Sequence, residues 1–232
     1  MTIYFVHVKK TINTGDKRSS PVFYYPEYFR QFDVKEIDLQ ELKNLVISPD
    51  DFVIVGGGGI LDSGKKWNGL INLAMQQTGN VILWGCGFNT SKKQIDFPAL
   101  DLSNSLLIGI RDYLHPFFRF VPCITCKSKY FDRQYTCKRE IGIVKHHSRP
   151  LQLHESFADI ETISNSENIA NIIRFIGESD TVISNSYHVL YWASLLHKKT
   201  GRLDPYFNSR FRDCMYQYQG IKTLNDISNC RV

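Results

Sequence analysis

The chain has 232 residues, room for one large domain or two small ones, which excludes a long multidomain machine. Hydrophobic types make up 43% before the 15 glycines are counted, so a substantial core is expected and disorder of the whole is excluded. Lys and Arg outnumber Asp and Glu by 28 to 23, a mild excess of +5 that reads as spread along the sequence. A dedicated nucleic-acid binder would show a concentrated basic stripe, so anionic small molecules or an acidic membrane surface are the expected partners, and nucleic acid is not.

Chain order then gives the elements. Ile3–Val8 alternates as a strand, without the apolar core of a signal peptide. Crossing a bilayer takes a run of about 18–20 apolar residues. None occurs, so the expected location is the cytoplasm. Phe52–Val55, Val81–Trp84 and Leu106–Ile110 are further apolar strands. Between the first two of these, Trp67, Leu70, Ile71, Ala74 and Met75 share one helical face, with Gly79 placed to end the helix in a left-handed conformation. From Tyr113 to Arg139 prolines, aromatics and basic residues break the pattern, as suits a connection between lobes. A new strand starts at Ile141–Val144. Ser164 and Glu167 have capping-box spacing before a helix carrying Ile169, Ile172, Ile173 and Ile176, and Thr181–Ser184 forms the next strand. The last helix presents Val189, Trp192, Ala193 and Leu196, with Gly201 beyond its end. Alternating strands and helices of this kind predict an α/β fold with parallel sheets in two lobes, residues 1–136 and 137–232. Ligands of open α/β sheets bind at the carboxyl ends of strands, here along a cleft between the lobes.

Two strand-to-helix segments stand out. Gly56, Gly57, Gly58 and Gly59 follow a buried strand, and without Cβ atoms they let backbone N–H groups approach an anion ahead of a helix N-terminus. The run matches neither the Walker nor the dinucleotide pattern, and a tight turn under close packing is the alternative. Asp62, next along, either bonds a sugar hydroxyl or caps the helix. In Ser184–His188, the serines and Asn185 supply short polar groups, and His188 falls in the first helical turn. There the helix dipole disfavours a protonated imidazole, so His188 as proton donor needs a nearby anion. Arg111 and Asp112 close another strand and offer a fork for carboxylate or phosphate, or an ordinary ion pair. Lys198, Lys199 and Arg202, beyond the last helix, read as a solvated charge cluster, with Lys199 reaching the cleft as the alternative, and His146 and His147 end a strand where they contact substrate or solvent. Six cysteines without a regular framework read as reduced thiols. Cys123, Cys126 and Cys137 give three sulfurs, one short of a closed zinc site, so no metal is expected.

Taken in order, Gly56–Gly59 with Asp62, Gly109–Asp112, Pro122–Cys126, Ile141–His146, Ser184–His188 with Tyr191–Leu196, and Asn208–Phe211 resemble the polysaccharide pyruvyl transferase family. The resemblance runs from about Phe52 to Phe211. It implies two Rossmann-like lobes in a GT-B-like architecture, and transfer of a pyruvyl unit from phosphoenolpyruvate to a saccharide of a cell-surface polysaccharide or its lipid-linked precursor. No cofactor is implied beyond the donor substrate, and a lipid-linked acceptor implies work at the inner face of the membrane. His188 corresponds to the family's motif histidine, the catalytic residue. Gly57, Gly58, Gly59, Arg111, Ser184, Asn185, Ser186, Tyr187, Lys199 and Arg210 would surround the donor, and Asp62 and His146 the acceptor. Many members carry arginine two residues before the motif histidine, where this chain has Ser186, so a cation for the donor carboxylate has to come from Arg111, Arg210 or a lysine. Glycosyl transfer from a nucleotide sugar and glycan binding without turnover are the competing readings, since fold alone does not fix function.

Overall fold

A computed structural model of the chain describes residues 1–61, 66–88, 100–112, 118–149 and 155–202. They separate into two compact units. The first holds Met1–Thr11 and the described residues from Asp16 to Thr125; the second holds Ile12–Gly15 and those from Cys126 onward.

In the first unit, β1 (Thr2–His7) is followed by α1 (Thr14–Lys17), whose first two residues belong to the other unit, then α2 (Pro26–Phe29) and β2 (Asp33–Asp38). Next come β3 (Phe52–Val55), β4 (Gly58–Leu61), α3 (Lys66–Gln77), β5 (Val81–Phe88), β6 (Ser105–Ile110) and β7 (Arg119–Phe120). The strands form one sheet in the order β2-β1-β3-β5-β6-β7, with β4 also on β5, and every pairing is parallel. Alternation along β1 and β3 explains the layering. Tyr4, Val6, Val53 and Val55 pack with Ile71, Ala74 and Met75 of α3, while Ile3, Phe5 and Ile54 pack with Phe29 of α2. Both faces are therefore covered, as parallel sheets require.

The second unit contains β8 (Arg139–Lys145), β9 (Thr162–Ser164), α4 (Ile169–Gly177), β10 (Ser179–Ser184), α5 (Tyr187–Leu195) and β11 (Lys199–Arg202). Its sheet has the order β11-β10-β8-β9, again parallel throughout. The fold is thus α/β with parallel sheets, consistent with a Rossmann-like fold. Among the described residues no helix is long and apolar enough to cross a membrane.

Two local expectations are corrected. Gly79 is not left-handed, because positive φ among the glycines occurs at Gly58 and Gly85. The end of α3 is pinned instead by Thr78, whose N–H donates to Ala74 O and whose hydroxyl lies 3.0 Å from the carbonyls of Pro49 and Asp51. The cap of α4 is Asn168, accepting from Asn171 N at 2.9 Å, while Ser164 ends β9. The chain leaves α5 through His197, at φ 55°, and Gly201 lies inside β11 opposite Ile183.

Candidate functional site

Each sheet has a place where strand order reverses, and the carboxyl ends there open a crevice suited to ligands. In the first unit it lies between β1 and β3, because β2 sits on one side of β1 and β3 on the other. The glycine run follows β3 at this point. Gly56 N donates to Val6 O at 2.7 Å and Gly57 N to Ser19 O at 3.1 Å, so both amides serve the backbone. A Cβ on Gly56 would lie 2.7 Å from Ser19 O, and one on Gly57 would lie 3.0 Å from Gly85 O and 3.2 Å from Cys123 Sγ. Gly58 has φ 108°, which L side chains rarely adopt. Close packing and backbone conformation therefore account for Gly56, Gly57 and Gly58. After them the chain enters β4 beside β5, and the expectation of a helix starting directly from the glycines is corrected.

Arg111 follows β6 and is 5% exposed, so it is not a surface ion-pair residue. Its N–H donates to Cys86 O at 2.9 Å, and its side chain crosses over Gly87, where any Cβ would strike Nε. Asp112 accepts from Phe88 N at 3.0 Å. Burial pushes the Cys86 thiol up to about 12 and raises Cys123 as well, against the opposing pull of the Arg111 guanidinium. Both therefore stay protonated near neutral pH and behave as packing groups. Sequence reasoning missed His7, fully buried at the end of β1 with Nε2 2.9 Å from Glu36 Oε1, and Ser19, which bridges toward Gly57. Polar residues following the apolar run of β1 were the available signal.

In the second unit the reversal falls between β8 and β10. The segment after β8 is His146–Arg149 and the segment after β10 is Asn185–His188, and two buried asparagines hold them together. Asn185 Oδ1 accepts from His146 N at 2.8 Å, and its Nδ2 donates to Arg149 O at 3.0 Å. Asn165 Oδ1 accepts from His147 N at 2.8 Å and faces His147 Nδ1 at 3.2 Å, while its Nδ2 donates to Ser186 Oγ at 3.3 Å. Ser184 Oγ donates to Val144 O at 2.6 Å and accepts from Ser186 N at 3.0 Å, shaping the turn into α5. The imidazoles of His146 and His147 stack at 4.5 Å. Because Ser148 N donates to His146 Nδ1, a neutral His146 carries its proton on Nε2. For His147 the bond to the Asn165 oxygen puts the proton on Nδ1, leaving Nε2 an acceptor. In their neutral forms the two stacked rings thus carry opposite tautomers.

His188 is 3% exposed, with the rings of Tyr187 and Trp192 at 5.4 and 5.7 Å and Gly15 directly against its imidazole. Gly15 comes with Thr14, whose N–H donates to Asn165 O at 3.1 Å and whose hydroxyl donates to Glu167 O at 2.5 Å. Hence Ile12–Gly15 is packed onto this end of the second sheet, a placement sequence reasoning missed along with Asn165.

No family model matches the chain, and no curated protein does. A solved structure does share its fold. It is the crystal structure of a functionally uncharacterized protein from Klebsiella pneumoniae subsp. pneumoniae, 15% identical, covering 95% of this chain and 89% of that one at a TM-score of 0.57. At that identity the likeness shows the fold alone.

Of the residues singled out from sequence, Ser184, Asn185, Ser186, Tyr187, His188 and His146 come together in the second unit. Gly57, Gly58 and Gly59 lie at the switch point of the first unit, with Arg111 following β6. Lys199 does not join the cluster of the second unit. It begins β11 opposite Thr181, well before Ser184, and its exposed ammonium lies 3.0 Å from Asp180 Oδ2, which raises the lysine's pKa. Asp62 and Arg210 lie outside the described residues. Among the described residues no group of His, Cys, Asp and Glu is arranged to hold a metal ion.

Proposed function

We propose that the chain is a transferase of the polysaccharide pyruvyl transferase type, its units serving as the lobes of a GT-B-like enzyme. It would move a pyruvyl unit from phosphoenolpyruvate, as a ketal, to a sugar of a cell-surface polysaccharide or of its lipid-linked precursor at the inner face of the membrane. One observation supports this most. Ser184–His188, the segment with the strongest resemblance, is tied through Asn185 to His146 at the switch point of the second sheet, where a ligand is expected.

In this reaction the enol carbon of the donor gains a proton, and the adjacent carbon becomes an oxocarbenium-like centre. A sugar hydroxyl attacks that centre and gives up its proton, and as phosphate leaves a second hydroxyl of the same sugar bonds the carbon, loses its proton and closes the ketal. His188 is the proton donor in this reading, and its burial sets a condition: the enol carbon has to come within reach of a ring packed among Gly15, Tyr187 and Trp192. A bound phosphate or carboxylate would offset the dipole of α5 and favour the imidazolium. Since the Gly57 amide is already committed to Ser19, Arg111 carries most of the charge compensation offered by the first unit.

Thermal shift and calorimetry with phosphoenolpyruvate and a panel of nucleotide sugars test the donor. Phosphoenolpyruvate should stabilise the protein; stabilisation by a nucleotide sugar alone would transfer the reading to glycosyl transfer. His188→Ala should lower turnover by about 10²–10⁴-fold. Acceptor modification at the wild-type rate would remove His188 from the chemistry.

A further inference from the structure

The net charge is not spread evenly after all. Between Lys127 and Arg139, five cations (Lys127, Lys129, Arg133, Lys138 and Arg139) face a single acid, Asp132, so 13 residues carry +4 of the whole chain's +5. Two of the five are engaged. Lys138 Nζ lies 2.7 Å from Glu178 Oε1, and Arg139 binds Glu161 at 2.8 Å and Glu178 at 3.6 Å. Lys127, Lys129 and Arg133 are exposed and make no ion pair among the described residues.

These three cations stand on a well-held turn. Phe131 is buried and its N–H donates to Ser128 O at 3.0 Å; Tyr135 Oη donates to Tyr130 O at 2.7 Å; the Tyr135 ring packs on Gly177. Lys129 Nζ and Arg133 Cζ both lie over the half-buried Tyr130 ring, at 5.9 and 4.9 Å from its centroid. Two like charges are thus gathered at one ring, neither of them in an ion pair among the described residues, an arrangement that an external anion relieves.

We propose that this turn docks the protein on an anionic membrane surface, with Lys127, Lys129 and Arg133 meeting lipid phosphates and Tyr130 seated at headgroup level. Nucleic acid fits less well. Following a phosphodiester backbone takes an extended track of cations, and the rest of the chain, at +1, adds little net charge to this short segment. Stacking on bases takes an open ring face, and Lys129 and Arg133 already lie over Tyr130. A membrane asks only for several cations gathered on one surface, with an amphipathic ring among them. The inference goes beyond donor chemistry. Vesicle binding needs no turnover, so its failure leaves the transferase reading standing, and the converse holds.

The test sediments the full chain with vesicles of phosphatidylcholine alone or with phosphatidylserine added. Binding should require phosphatidylserine and fade as salt rises. Lys127→Gln, Lys129→Gln and Arg133→Gln combined should weaken partitioning roughly a hundredfold. An equal-charge control with Lys17→Gln, Lys35→Gln and Lys43→Gln should lose far less, with near-ultraviolet circular dichroism confirming that both variants fold. Indifference of the unaltered protein to phosphatidylserine would overturn the proposal without recourse to any variant. So would equal losses in the two triple variants, or tighter binding to an RNA or DNA oligonucleotide that the first triple abolishes.

Discussion

Replacing Gly15 by alanine probes the placement of His188 directly. A Cβ built there lies 2.5 Å from His188 Cβ, and Cγ and Nδ1 of the ring are nearer still. Carbon atoms in contact sit about 3.5–4.0 Å apart, so the ring or the turn has to retreat by about 1 Å or more. Neither has an easy route. The ring is 3% exposed and backed by Trp192, while Thr14 next to Gly15 is tied to Asn165 and Glu167. Overpacking of this sort costs about 1–3 kcal/mol, at least fivefold in the folding equilibrium. Gly69 and Gly79 serve as controls, since a Cβ at either meets nothing within 4 Å. At Gly69, inside α3, alanine should stabilise by about 1 kcal/mol through helix propensity. Urea titration followed by tryptophan fluorescence, at unchanged slope, measures all three. His188→Ala in the Gly15→Ala background should recover part of the loss, because Cγ and Nδ1 of the ring are gone while the Cβ contact at 2.5 Å stays. A Gly15→Ala protein as stable as the parent, or one whose loss His188→Ala leaves untouched, would refute this contact.

Alanine at Gly87 puts a methyl against Arg111 Nε and 3.0 Å from Cδ, so it should weaken phosphoenolpyruvate binding about as much as Arg111→Ala does and reduce its salt dependence. Calorimetric titration checks both, and unchanged affinity in Arg111→Ala removes that residue from the donor site. Alkylation of the native protein at mildly alkaline pH, followed by peptide mass mapping, should label exposed Cys137 well before buried Cys86, whose thiol is pushed up to about 12; comparable rates at the two would contradict that burial. Glu178 is held below the ordinary carboxylate value of 4.5 mainly by its hydrogen bond to Lys138. Its contribution is therefore complete above that value and drains away as pH falls through the lower, folded-state one. With Lys138 largely exposed the effect is under about 1 kcal/mol, and Glu178→Gln should flatten the acid limb of a stability-against-pH curve by that amount. Superimposable curves would assign the pair no role.

Much of the framework was legible because it is local. Phe52–Val55 is β3, the five apolar residues from Trp67 to Met75 do lie within α3, and the isoleucines of α4 are buried as their spacing predicts. Apolar periodicity reports which face of an element is covered, whatever covers it. The strands β2, β9 and β11 were not legible. Asp33–Asp38 and Lys199–Arg202 carry mostly polar residues, and their strand character comes from the hydrogen bonds of β1 and β10 beside them. Helix ends were decided in the same way, by Thr78 reaching Pro49 and Asp51 and by His197 leaving α5, where the sequence offered glycines. In the candidate site, the strand-to-helix setting of Ser184–His188 was readable from its polar residues after an apolar strand. Asn165 as the link between His147 and Ser186 was not, and neither was Thr14, which reaches Glu167 across 153 residues. The sequence by itself determined the apolar strands, the amphipathic helices and the chemistry of the side chains. Tertiary structure alone decided which distant groups meet, because those contacts depend on strand order and register, which no local pattern encodes.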